Sequence, residues 1–395
     1  MARRRRTLHL LLGIPPLGGH RAAWLREELP PEAQGDPAHF AALARLAEAA
    51  KLDAIVLPDA AALADDPASA PPARLDPSVL LASLASATER IGLVAGASTS
   101  TAHPFEVARR IASLDLVSGG RAALLATSEF AEAAALNVGD DPAALREERH
   151  RRAAEFLHVV HRLWDSWTPG AVVGDIEHGL FADPERIAPI DHHGEFFDVR
   201  GPLPVPRGPQ GRPPVLVAAG SDPERALAAR HGEIVLGGDG LLERAVTAYN
   251  EVKARAAAIG RSPDRIRVLG RIATVIGDTE ADARARLREL DAHLREDGEP
   301  LGAAGWAEEG RGGVLLVGAP EQIADELARR FRAGAADGFV LTPDAFPSGA
   351  HALLEQVVPV LQQRELFRTD YEGSTLREHL GLPQPVLSQH AAASA

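Results

Sequence analysis

The sequence predicts an α/β fold, specifically a (β/α)8 TIM barrel with insertions at its C-terminal rim. Short apolar runs alternate with longer segments of helical period, as expected for β-α units around a parallel sheet. The length of 395 residues suits one barrel with insertions. The candidate strands are 8–14, 54–57, 91–97, 122–126, 215–219, 234–236, 266–276, 314–317 and 339–341.

Nine candidate strands are one more than an eight-stranded ring needs. We interpret 314–317 as the surplus strand, because it lies in an insertion and precedes a helix at 320–333. Two stretches, 165–212 and 278–313, interrupt the alternation. Loops of this length inside a compact domain are usually functional. We therefore expect a single domain over residues 1–395, with both insertions at the rim of the barrel.

The composition excludes several classes of protein. The chain has no cysteine, which rules out disulfides, thiolate metal sites and a cysteine nucleophile. Its 42 basic and 55 acidic residues give a net charge of −13, which argues against nucleic-acid binding. No segment has the roughly 20 apolar residues that cross a bilayer, and the apolar run after the basic start is too short for a secretion signal. We expect a cytoplasmic protein without a membrane segment.

Polar residues follow several predicted strands, where a barrel places its active site. Asp59 ends the second strand, although it could also be a turn former. The segment 96–104 follows the third strand and supplies the hydroxyl groups of Ser98 and Thr99 and the imidazole of His103. Such a loop can bind polar ring atoms of a ligand, but it is also a plausible turn and helix cap.

A second candidate is an anion site after the fifth strand. Gly220 and Ser221 lie at a predicted helix start, where free N–H groups suit a phosphate; the same residues could simply cap the helix. His150, in a basic helix start, could pair with the phosphate or be solvated. The adjacent His192 and His193 fit no ligand spacing, so we predict no metal site.

Three longer segments carry more specific motifs. The first is DPSVLLASLASATERIGLVA at 76–95, continuing in PFEVAR at 104–109 and SLDLVSGGR at 113–121. The second is RAAEF at 152–156 with LWDSW at 163–167 and DHHGEFFDVRGPL at 191–203. The third is RTDYEGSTLREHLGLP at 368–383. Together they resemble the bacterial-luciferase-like flavin monooxygenases, in the branch of nitrilotriacetate monooxygenase component A and the dibenzothiophene-sulfone and pristinamycin monooxygenases.

The resemblance implies a two-component enzyme. It would take reduced FMN from a separate NAD(P)H-dependent flavin reductase and use dioxygen to oxygenate a small-molecule substrate. It also implies a homodimer with 104–118 near the interface. Two histidines would be candidates for proton transfer near the flavin, His20 and His103, although both could equally be rim histidines. The residues expected at the flavin are Asp59, Ser98, Thr99, Thr127, Ser128, His150, Gly220 and Ser221.

The sequence departs from the family pattern at the expected flavin site. Leu125 stands where the family has an asparagine, Gly96 replaces a threonine, and His150 replaces a tyrosine. Asp222 adds negative charge beside the expected phosphate. Each lost hydrogen bond would cost about 0.5–1.5 kcal/mol. Two alternatives follow: a barrel that has lost its flavin site and acts as a binding or partner subunit, and a deazaflavin-dependent oxidoreductase.

Overall fold

Thirteen strands are found in this computed structural model, which describes residues 6–26, 28–63, 71, 74–128, 131–237, 240–294, 306, 313–385 and 387. They are β1 (His9–Gly13), β2 (Ala54–Leu57), β3 (Gly92–Ser98), β4 (Ala122–Thr127), β5 (Val172–Asp175), β6 (Leu180–Ala182), β7 (His192–His193), β8 (Asp198–Val199), β9 (Val215–Ala218), β10 (Ile234–Gly237), β11 (Arg267–Ile276), β12 (Val314–Gly318) and β13 (Gly338–Pro343). Eight of them form a closed parallel ring in the order β1, β2, β3, β4, β9, β10, β11, β13.

Helices surround this ring and connect its strands. They are α1 (Pro37–Ala49), α2 (Pro77–Ala87), α3 (Pro104–Val117), α4 (Glu132–Val138), α5 (Pro142–Trp164), α6 (Asp222–His231), α7 (Leu242–Ala258), α8 (Glu280–Ala292), α9 (Pro320–Arg332), α10 (Ser348–His351), α11 (Val358–Gln363) and α12 (Leu376–His379). Side-chain caps fix several starts; Asp76, for example, accepts the N–H groups of Ser78 and Val79 before α2. None of the helices in the described ranges is long and apolar enough to span a bilayer.

The predicted (β/α)8 barrel is confirmed. The prediction about the surplus strand is also confirmed, because the ring closes without β12. That strand pairs in parallel with the second half of β11, from Ile272 to Ile276, beyond the point where β10 ends.

The two insertions lie in different places. The second begins after the carboxyl end of β11, and its residue Trp306 reaches the rim, where it pairs with His20. Our placement of the first insertion was wrong in part, because residues 165–212 join the end of α5 to the start of β9 and so leave from the amino-terminal end of the barrel. Within this insertion, only the hairpin β7–β8 runs along α5 toward the carboxyl-terminal rim, where Phe197 packs against His103.

The C-terminal segment closes the amino-terminal end of the barrel. Inward-facing residues of the strands, such as Leu11, Leu216 and Leu269, form an interior cluster separate from the larger core under the helices. Leu376 of α12 and Leu380, which directly follows this helix, belong to the interior cluster and are fully buried. The tail therefore acts as an apolar plug.

A buried ion pair holds the plug in place. The guanidinium of Arg377, 1% exposed, donates to both carboxylate oxygens of Glu233 at 2.7 and 2.9 Å. It also donates to the backbone carbonyl of Arg212 at 2.7 Å. Because Glu233 immediately precedes β10, these bonds attach the tail directly to a barrel strand.

Replacing Leu376 with Ala should lower the free energy of unfolding by about 2–5 kcal/mol, because it opens a cavity in the plug. Urea denaturation followed by circular dichroism measures this loss. The matched control is Leu136→Ala on α4, whose side chain is 62% exposed; it should change stability by about 0.5 kcal/mol or less. Equal effects of the two substitutions would contradict the plug.

Candidate active site

The barrel is open at its carboxyl-terminal mouth. Deep interior positions are fully buried, as at Val94, Leu216, Ile234 and Leu269. One layer closer to the carboxyl end, the inward-facing residues of β9, β10 and β11 are only half-buried. They are Ala218, Leu236 and Arg271, respectively. The upper layer of interior side chains is therefore accessible from outside, and it forms the floor of a concave site.

Four predicted residues lie around this mouth. Asp59 follows β2, Ser98 and Thr127 end β3 and β4, and Ser221 follows β9. Parallel strands of one ring end on the same side, so all four lie on one rim. These strands are also neighbours in the ring, which places the four residues on one arc.

The hydroxyl loop after β3 is fastened to β4. Ser98 Oγ accepts the N–H groups of Ser100 and Thr101, both at 3.2 Å. Thr99 is fully buried, and its N–H and hydroxyl both donate to the carbonyl of Thr127. Most of these groups therefore order the loop. Ser100 Oγ differs, since it is buried with no hydrogen-bond partner among the described residues.

Gly96 allows the rim to pack closely. A Cβ at this position would lie 2.4 Å from the backbone N of Asp59 and 2.8 Å from Cα of Pro58. Glycine here thus lets the chain after β2 rest on β3. Burial raises the pKa of the Asp59 carboxyl, and the charge of Asp76 adds to the rise.

Ser221 caps α6, and its partner in the cap is Glu224. Ser221 Oγ accepts the N–H of Glu224 at 3.4 Å, and Glu224 Oε2 accepts the N–H of Ser221 at 2.8 Å. This carboxylate occupies one of the donors that would face a phosphate at the helix start. Ser221 was predicted from the sequence and Glu224 was not, although the spacing Ser-x-x-Glu is the capping-box pattern that indicates both residues.

Asp222 is less of an obstacle to an anion than its sequence position suggested. Its side chain is 67% exposed and forms ion pairs with Arg255 and, at 3.6 Å, with Arg225. Arg225 is also within 3.5 Å of Glu251. The charge of Asp222 is therefore offset by cations on α6 and α7.

His150 lies on α5 beside the start of α6. Burial lowers the pKa of its imidazole, Arg149 lowers it further, and the nearby carboxylate of Glu224 opposes the shift. Nδ1 of His150 is buried and has no hydrogen-bond partner in the described part of the chain. Two residues later on the same helix, Arg152 donates to the carbonyl of Ser100 at 3.0 Å. The hydroxyl loop, α5 and α6 thus converge.

His20 is buried at the rim with both ring nitrogens engaged. Nδ1 accepts the N–H of Ala22 at 3.2 Å, which leaves Nε2 to donate to Asp291 at 3.2 Å. Trp306 packs edge-on against the ring. Burial lowers the pKa of His20, outweighing the opposite effect of Asp291. Asp291 was not predicted from the sequence, because it lies in the second insertion, far along the chain from His20.

His103 is exposed at the start of α3. Its Nδ1 accepts the N–H of Phe105 at 3.3 Å, so it caps the helix as the second interpretation of this loop proposed. Ser128 is buried at the end of β4. His192 pairs with Glu155 and His193 with Asp198, and the described residues contain no group of three side chains arranged for a metal ion.

The fold defines the class of protein, a (β/α)8 barrel, and the carboxyl ends of β2, β3, β4 and β9 carry its candidate ligand site. The family model for luciferase-like monooxygenases matches residues 21–337. The chain belongs to this family, and it is a monooxygenase. The predicted family is confirmed.

Individual relatives match over nearly their full length. N-acetyl-S-(2-succino)cysteine monooxygenase of Bacillus subtilis (strain 168) is 35% identical, covering 98% of this chain and 99% of the relative. Nitrilotriacetate monooxygenase component A of Aminobacter aminovorans is 35% identical, covering 93% and 95%. The crystal structure of a riboflavin lyase with a modified FMN and riboflavin superposes with a TM-score of 0.86 at 27% identity, covering 98% and 99%.

Replacing Glu224 with Gln should tighten the binding of FMN about tenfold, because it removes a negative charge beside the phosphate while keeping a capping oxygen. Calorimetric titration with FMN measures the change. Riboflavin, which lacks the phosphate, should bind wild type and variant equally. Asp222→Asn is the matched control and should have a smaller effect, since Asp222 is exposed and already paired. An equal gain for riboflavin would show that Glu224 acts on something other than the phosphate.

Proposed function

We propose that this protein is the oxygenase component of a two-component system, which binds reduced FMN at the barrel mouth and transfers one atom of dioxygen to a small organic substrate. The observation that carries the proposal is the convergence of the hydroxyl loop, α5 and the start of α6. Two buried polar atoms, Ser100 Oγ and His150 Nδ1, lack partners among the described residues there. Buried polar atoms are normally satisfied, so these two suit a polar ligand.

The residues at the mouth fit a flavin mononucleotide. Asp59, Ser98 and Thr127 would lie along its ring, with Thr99 and Ser128 supporting the loop and strand behind them. Gly220, Ser221 and His150 would hold its phosphate, since a helix start and an imidazole both favour an anion. Reduced flavin supplies the electrons that activate dioxygen.

The protein would contribute positioning and exclusion of water. The floor of the mouth combines apolar Ala218 and Leu236 with Arg271, and the loop at 98–101 is hydrogen-bonded to β4. His103 stays a candidate for proton transfer, because Nδ1 is occupied as an acceptor and Nε2 is then the nitrogen that carries the proton. His20 stays a candidate too, but it would have to give up its bond to Asp291.

Partners follow from the relatives. The Aminobacter relative is one component of its monooxygenase, and we propose a separate NAD(P)H-dependent flavin reductase for this chain. N-acetyl-S-(2-succino)cysteine, on which the Bacillus relative acts by its name, is the first substrate to test. The homodimer stays a prediction; α3 offers Leu116 and Val117, which are 38% and 69% exposed.

Anaerobic titration should show that the protein binds reduced FMN with a dissociation constant in the micromolar range. With a flavin reductase, labelled dioxygen and a substrate, one labelled oxygen atom should enter the product and the other should leave as water. Product mass spectrometry measures the incorporation. Binding of a 5-deazaflavin in preference to FMN would indicate a hydride-transfer enzyme, and no flavin binding at millimolar concentration would indicate a non-catalytic barrel.

Replacing His150 with Ala should weaken FMN binding about tenfold at pH 6 and less than about twofold at pH 8. The pKa of His150 lies below its ordinary value, so the imidazole is neutral at pH 8. Its protonated fraction grows as the pH falls, and a bound phosphate favours that form. Calorimetry at both pH values tests this, with His178→Ala on the exposed β5–β6 hairpin as control. Equal losses at the two pH values would contradict a charge-based role.

A further inference from the structure

An arginine faces the interior of the barrel at its mouth. Arg271 lies on β11 two residues after Leu269, which belongs to the interior cluster, and it is in register with Val340 of the same cluster. Since side chains alternate along a strand and registered partners share a face, the side chain of Arg271 leaves the backbone on the inner face of the barrel. A charged side chain is unusual at such a position.

None of the described residues compensates the charge of Arg271. Its Nε is shielded from solvent and has no hydrogen-bond partner in the described ranges. No carboxylate of the described residues lies within ion-pair distance of it, in contrast to Arg377 in the plug. An unpaired, partly desolvated cation destabilises a fold, so its presence at the mouth suggests that a ligand completes it.

The position of Arg271 separates it from the expected flavin site. The candidate flavin residues lie on β2, β3, β4 and β9, whereas β11 stands in the opposite arc of the ring. Toward the rim from Arg271, the same face of β11 carries Ala273 and Val275, which form an apolar cluster with Trp306. Half-buried Leu236 of the neighbouring strand β10 lies on the opposite side of Arg271, toward the amino-terminal end of the barrel, since Leu236 is in register with Leu269. A guanidinium beside an apolar wall suits an organic carboxylate.

We propose that Arg271 binds a carboxylate of the substrate and so determines that this enzyme acts on small organic acids. The inference rests on the proposed function, because it takes the barrel mouth as the substrate site. Planar guanidinium groups bind carboxylates through paired N–H donors. Half-buried Leu236 and Ala218 at the floor of the mouth would contact the rest of the molecule.

The test uses matched pairs of acid and primary amide that share one skeleton: (methylthio)acetate and (methylthio)acetamide, benzoate and benzamide, and succinate and succinamide. Calorimetry on the flavin-free protein should show that at least one acid binds ten times more tightly than its amide. Arg271→Leu should weaken binding of that acid at least tenfold, and Arg271→Lys should restore part of it. Arg284→Leu, which removes an equal charge from the exposed face of α8, should leave acid binding unchanged.

Stability provides a second readout. Without ligand, Arg271→Leu should raise the midpoint of thermal unfolding by a few degrees, because it removes an unpaired cation. A lowered midpoint, equal binding of acid and amide, no acid binding by wild type, or full acid binding by Arg271→Leu would overturn the inference. Failure of FMN to bind wild type would contradict the proposed function alone, since acid binding is measured without flavin.

Discussion

The structure depends on the seam of hydrogen bonds at which β13 joins β1 and completes the ring. His9 to Leu12 pair in register with Gly338 to Leu341. A Cβ at Gly338 would lie 1.9 Å from the carbonyl oxygen of His9, so this approach requires glycine. Without the seam, the strands would form an open sheet, and neither a single rim nor a closed interior would exist.

Buried carboxylates support the amino-terminal end of this seam. Asp53 accepts the N–H of Leu10 and pairs with His9 and Arg368. Burial by itself would raise the pKa of Asp53, but its interactions with Arg368 and His9 lower it to about 2. Asp337, just before β13, accepts the N–H of Val268. Asp53 thus joins β1 to Arg368 of the C-terminal segment, and Asp337 joins the start of β13 to β11.

Much of the fold was predictable because strand and helix periods are local properties of the sequence. All nine candidate strands were found, and 314–317 was correctly separated from the ring. The path of 165–212 was not predictable, because nothing in the sequence of a loop states at which end of a barrel it leaves. At the site, Asp59, Ser98 and Ser221 were located by their place after strands. The pairing of Ser221 with Glu224 and of His20 with Asp291 depends on partners that sequence position alone did not indicate. Arg271 looked like an ordinary strand residue until the register showed which face it occupies.

Both ends of the barrel contain buried polar atoms without a partner among the described residues, but their surroundings differ. At the plugged end these atoms are Arg377 Nε and the two ring nitrogens of His379, and the rest of the Arg377 guanidinium is bound to both carboxylate oxygens of Glu233. At the mouth they are Ser100 Oγ, His150 Nδ1 and Arg271 Nε, which lie where the carboxyl ends of the strands form the rim. Local rules of satisfaction are often broken at functional sites, so we place the proposed chemistry at the mouth and assign the plugged end to stability.

The plug has a consequence for biosynthesis. Both the strand that completes the ring and the segment that seals its interior leave the ribosome after all the other strands of the ring, on the order of half a minute after β1 at about 5–20 residues per second. During that time β1 has an unpaired edge, and the inner faces of the early strands lack their apolar cover. Nascent chains of this enzyme are therefore exposed to aggregation for most of their synthesis, and chaperones that shield apolar strands would act before the tail emerges.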